Sequence, residues 1–206
     1  MITIALAAAF LNLTVGQTWA ATETIAILDS ADAASPIEED HYKFSYKVLA
    51  ATGDAYTVEV SRLMTESISG GQTVTGDPVA KPLVYDETWR KDGLLVKSKE
   101  PGEGELGRFQ YERFLHVPVG LLRQHDTASA FNETHWVASR RLIREDGEQW
   151  DLDVQGQKKD DVVEGNMVMV VDKTSGMTKT LDATLNKIVP PGGSARMKLK
   201  IHYAMD

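Results

Sequence analysis

Four side chains that could hold a metal or move protons fall close together: His125, Asp126, Glu133 and His135. Imidazole nitrogens combined with carboxylates suit zinc or a similar ion. His125, Glu133 and His135 are therefore the candidate metal ligands. No pair among them has the i, i+4 spacing that puts two ligands on one helix face. The same residues also read as solvated groups on a polar connection.

Other chemical signatures are weaker. Gly102-Glu103-Gly104-Glu105-Leu106-Gly107 matches the spacing of a phosphate-binding glycine loop, but Pro101 precedes it and two glutamates sit inside it. A phosphate site needs a helix N-terminus and no competing negative charge. No G-x-S-x-G elbow occurs, and the chain has no cysteine, which removes thiolate ligands, a cysteine nucleophile and disulfides. Asp151/Asp153 and Asp160/Asp161 occupy alternating or turn positions, where solvated acids are expected. We assign no catalytic residue and expect no cofactor.

Six of the nine arginines lie within residues 108–144: Arg108, Arg113, Arg123, Arg140, Arg141 and Arg144. Guanidinium groups bind carboxylate or phosphate in a bidentate way. Arg140, Arg141 and Arg144 are therefore candidates for binding an anionic headgroup or an acidic partner. Pairing with the protein's own acids is the competing account.

Charge and hydropathy narrow the setting of these residues. The first charged side chain is Glu23, and residues 2–15 are nearly all apolar. Thr18-Trp19-Ala20 then offers small residues at the positions a signal peptidase reads. Residues 1–20 are expected to be a signal peptide cut after Ala20, although no Lys or Arg follows Met1. A membrane span needs roughly 20 apolar residues, so no transmembrane anchor is expected after the cut. An exported chain without disulfides fits a bacterial periplasm or exterior. The net charge of −8 lies wholly beyond the leader and argues against nucleic acid as a partner, since phosphate binding rests on Lys and Arg. Asn132-Glu133-Thr134 is an acceptable glycosylation triplet.

Residues 21–40 are acidic and form either a disordered arm or a short helix from Thr22 to Ala34, with Ile25, Leu28 and Ala31 on one face. From Tyr42 the period becomes two. Tyr42, Phe44, Tyr46 and Val48 alternate with polar residues, Gly53-Asp54 turns, and Tyr56, Val58 and Val60 alternate again, which makes a hairpin. Residues 67–88 read as a long loop, and Leu94-Leu95-Val96 as a short strand. Residues 105–131 lean to helix, with a turn from Pro118 through Arg123. From 135 to the end, alternation and turns predict about five antiparallel strands in a meander with one wet face. Met167–Val171 is apolar on both faces and should be central or covered.

This order of parts resembles the periplasmic lipoprotein-sorting carriers (LolA-like) and their lipid-binding half-barrel relatives. The resemblance rests on a Thr24–Leu28 helix ahead of the Tyr42 strand, on Val171-Asp172-Lys173-Thr174-Ser175-Gly176, and on the final strand to Tyr203. It implies a curved antiparallel sheet wrapped around helices, and a cavity for lipid or acyl chains lined from Tyr42, Phe44, Tyr46, Trp150, Leu199 and Ile201. The same six residues also fit a plain packed core. The expected fold is therefore one mainly β domain over residues 41–206, a half-barrel or open barrel of meander topology with one or two short helices. The expected function is non-enzymatic binding of a hydrophobic or amphipathic ligand or an envelope partner. The alternatives are an extracytoplasmic hydrolase with a site in residues 105–140, or a structural envelope component.

Overall fold

A computed structural model describes residues 11–29, 36–75, 81–99, 117, 119–125, 127–130, 134–158, 161–188 and 197–206. Twelve strands form one antiparallel sheet, in the order β6-β5-β3-β2-β1-β12-β11-β10-β9-β8-β7, with β4 paired to the end of β3. The strands are β1 (Thr18–Asp29), β2 (Glu38–Ala51), β3 (Ala55–Ser69), β4 (Gln72–Thr75), β5 (Leu83–Arg90), β6 (Leu95–Ser98), β7 (Thr127–Ala130), β8 (Thr134–Ile143), β9 (Glu148–Lys158), β10 (Asp161–Val171), β11 (Thr178–Ile188) and β12 (Met197–Met205). Among the described residues there is one helix, α1 (Val119–His125).

This order is a meander read in two halves. Among the described strands each pairs with its neighbour in sequence except at two places: β5 pairs with β3 rather than with β4, and β6 and β7 stand at the two ends of the order, so the sheet is not closed. The halves join where β1 lies beside β12, with Glu23 opposite Tyr203 and Ile25 opposite Ile201.

The long strands carry an apolar face, which must be covered. A single core cluster draws on both halves of the sheet, from Val58 and Tyr85 to Trp136 and Leu152, so the sheet curves around it. Leu122 of α1 is fully buried against this concave face.

The predicted meander holds: β8 to β12 lie side by side in sequence order. β10 is central in that half, flanked by β9 and β11. Met167, Met169 and Val171 point inward, while Val168 is exposed on the convex face. Its turn with β11 is built by Asp172, whose Oδ1 accepts the backbone N–H groups of Thr174 and Ser175 at 2.9 and 2.7 Å.

Three expectations are corrected. Residues 22–29, expected as a helix or disordered arm and including Thr24–Leu28, are strand β1. Ala21, Glu23 and Ile25 face the core with period two, and the inward acid hides that alternation. Residues 67–88 are not a loop. β3 runs to Ser69, Gly70 and Gly71 take φ of 58° and 77° to turn tightly into β4, and β5 starts at Leu83. Tyr85, Glu87 and Trp89 are the inward set of β5, so an acid again occupies a core position. Within 105–131, the predicted turn after Pro118 is α1, but Thr127–Ala130 is strand β7, paired to β8. Residues 101–116, with the glycine-rich stretch, lie outside the described residues.

Candidate functional site

The aromatic residues of the first half converge at one end of the concave face. Trp19 of β1 stacks on Tyr46 of β2, with ring centroids 4.9 Å apart and planes 10° apart. Trp89 of β5 closes on both, 5.8 Å from Trp19 and 5.9 Å from Tyr46 in an edge arrangement. Tyr203 of β12 completes the group. Register brings them together: Trp19 is opposite Tyr46, and Tyr56 is opposite Trp89. Such stacked and edge pairs add about 0.5–1.5 kcal/mol each beyond their buried area.

These rings line a cavity of about 60 Å³. Its other walls come from Leu11, α1 and the turns at 91–93 and 176–178. The walls are held close by glycine. A Cβ on Gly120 would lie 3.0 Å from Asp92 Cβ, and the Gly120 N–H donates to the Asp92 carbonyl at 3.2 Å. Gly93 adopts φ 95°, a left-handed conformation that favours glycine.

The polar groups around the cavity are held in fixed states. Burial pushes the Tyr46 phenol well above its ordinary value, and Tyr203, Glu87 and Glu23 push it further. Burial also raises Tyr203, against hydrogen bonds from Tyr46 and Trp19 that act the other way. Both phenols stay protonated at neutral pH. The Trp89 indole N–H donates to Glu87 Oε2 at 2.6 Å. Asp92 accepts from the Arg90 guanidinium, with Nε at 2.7 Å, and from the Leu94 N–H at 3.1 Å. The cavity thus presents aromatic faces and fixed hydroxyls, which suits binding an apolar group.

The other end of α1 is tied down by charge. Glu148 at the start of β9 is buried, and its two oxygens are shared between Arg123 of α1 and Arg141 of β8. Arg123 Nε is 2.9 Å from Oε2 and Arg141 Nε 2.7 Å from Oε1. Burial alone would raise this carboxyl, but the hydrogen bonds from Arg123 and Arg141 outweigh it and hold it below the usual carboxylate range. Arg141 also lies over the Trp150 ring, 5.0 Å from its centroid.

The arginine candidates therefore separate. Arg141 is committed to Glu148, Arg144 bonds Gln149 at the β8–β9 turn, and Arg140 is exposed opposite Asp151. Arg108 and Arg113 lie outside the described residues. Of the metal candidates, His125 is the exposed last residue of α1, His135 lies in β8, and Glu133 and Asp126 lie outside the described residues. Among the described residues no group of three His, Cys, Asp or Glu could hold a metal ion. No described helix is long and apolar enough to cross a membrane.

Of the six residues expected to line a cavity, all are buried on the concave face, and Tyr46 alone of them reaches the cavity described above. Trp19, Trp89 and Tyr203 were not singled out by sequence reasoning. The tryptophans carried a signal, since Trp19 follows the N-terminal apolar run and Trp89 holds an inward phase of β5.

No known family and no curated protein matches this chain. Function must be argued from the site itself.

Proposed function

We propose that the protein is an exported, non-enzymatic binding protein that receives the apolar part of a hydrophobic or amphipathic ligand at the aromatic end of its concave face. The observation that carries this reading is the Tyr46, Trp89 and Tyr203 group around a cavity. Aromatic and apolar walls with a few fixed polar groups are the usual composition of a ligand site. The curved sheet, the apolar leader and the part of the resemblance to lipoprotein-sorting carriers that does not rest on a Thr24–Leu28 helix point the same way. Among the described residues that line the cavity, both phenols are held protonated and Asp92 is bound by Arg90.

Native mass spectrometry after gentle extraction tests the reading. An organic adduct on the wild-type chain, lost on Trp89→Ala, is the expected result. A chain that carries a metal ion and no organic adduct contradicts it.

A further inference from the structure

Residues 11–20 form a strap over the aromatic end. Leu11 and Leu13 are buried, and Trp19 is stacked on Tyr46. The strap is pinned by Tyr56, whose hydroxyl accepts the Leu13 N–H at 3.3 Å and donates to the Leu11 carbonyl at 3.1 Å. Further backbone bonds run from the Leu11 N–H to Lys91 and from the Asn12 N–H to Ser175. Thr18–Ala20 pair with β2, and on the other side the Ala20 carbonyl accepts the Asp206 N–H at 3.0 Å. The small residues of Thr18-Trp19-Ala20 stand at the start of the ladder between β1 and β12.

We propose that the strap is a built-in occupant of the ligand groove, and that cleavage after Ala20 vacates it for the chain of a fatty acid. This rests on the binding-protein reading above and names its ligand. Hydrolysis of the Ala20–Ala21 peptide bond by an envelope peptidase consumes one water and leaves an Ala20 carboxylate and an Ala21 ammonium. Departure of Leu11, Leu13 and Trp19 uncovers Tyr46, Trp89 and Tyr203, which receive the aliphatic tail. It also frees the Tyr56 hydroxyl, and the Lys91 ammonium stands 5.7 Å from the Tyr56 ring centroid. A hydroxyl donor and a cation are the groups a carboxylate headgroup needs. Arg90 does not compete, because Asp92 holds it. While attached, the strap acts at the high effective concentration of a tethered ligand. The uncut chain then shows an affinity reduced by the fraction of molecules with the strap open.

The test uses the full chain with and without Leu11→Ser and Leu13→Ser together, and cis-parinaric acid as the probe. The loosened strap is expected to raise probe affinity at least about tenfold. Adding Lys91→Gln should remove much of that gain for the acid and leave the alcohol of equal length unaffected. Equal probe binding with and without the serines overturns the proposal, as does a serine variant that no longer folds by circular dichroism. An equal effect of Lys91→Gln on acid and alcohol overturns the head assignment. N-terminal sequencing of the chain recovered from the envelope gives a second measurement independent of any variant. Ala21 is the expected first residue, and a chain that retains Leu11 and Leu13 overturns the proposal. An organic adduct on the full chain that is indifferent to the strap would keep the binding reading and remove this one.

Discussion

Arg123 on α1 donates from Nε to Glu148 Oε2 at 2.9 Å, across 25 positions of sequence. This bond fixes the C-terminal end of α1 to β9, while Gly120 at the other end sits against Asp92 of the β5–β6 turn. The helix thus spans from one half of the sheet to the other and forms one wall of the aromatic cavity. Geometry at the cavity depends on both attachments.

Glu148→Gln removes the charge that Arg123 and Arg141 share and leaves two guanidinium groups facing a neutral amide. Breaking a buried pair by removing one partner costs about 3 kcal/mol. For a chain of this size the melting temperature should fall by roughly 10 °C. Thermal unfolding followed by circular dichroism checks this, and a fall of under about 2 °C would show the triad to be dispensable.

Acid should act through the same residue. The Glu148 carboxyl titrates below its unfolded value, so its contribution is complete above the unfolded value and is lost as pH falls through the folded one. Asp172 behaves alike, because the Ser175 N–H and then the Ser175 hydroxyl and Thr174 N–H outweigh its partial burial. Denaturant midpoints should be level near neutrality and fall once pH drops below about 4. In Glu148→Gln the fall should be shallower.

Alkali should act through the phenols, with the opposite sign. Tyr46 and Tyr203 titrate above their unfolded value, so their contribution is present below about pH 10 and is lost as pH rises beyond it. Phenolate absorbance should therefore rise in two stages. Tyr46 and Tyr203 should ionise only as the chain unfolds. Tyr46→Phe should reduce the second stage.

Gly165 in β10 is a packing requirement rather than a turn. A Cβ there would lie 2.2 Å from the Thr184 carbonyl oxygen and 2.9 Å from Leu185 Cα, so backbone must shift. Gly165→Ala should cost more than about 2 kcal/mol, read from the urea midpoint. Arg140→Glu, on an exposed position, should change stability by less than about 0.5 kcal/mol and leave probe binding unaltered.

The C-terminal meander was legible because its inward positions are uniformly apolar. In β12, Leu199, Ile201 and Tyr203 alternate with Lys198, Lys200 and His202, and nothing breaks the period. The first half was harder to read because acids stand at inward positions: Glu23 in β1, Asp40 in β2 and Glu87 in β5 are all buried. A charged residue in the core-facing phase makes a strand look like an acidic arm or a loop. The aromatic cavity was missed for a related reason. Its four rings come from β1, β2, β5 and β12, and only the sheet order, with β1 beside β12, brings them together. The role of Glu148 was equally hidden, since its partner Arg123 lies on a helix from another part of the chain.

The central claim is that the aromatic end of the concave face receives an apolar ligand. Photocrosslinking with a fatty acid that carries a diazirine near the end of its tail tests this most directly, on chain whose strap is cut or loosened. Peptide mapping should place the label on β2, β5 and β12, at or beside Tyr46, Trp89 and Tyr203, and excess unlabelled acid should abolish it. Label on the convex face, or label that unlabelled acid does not displace, would contradict the account.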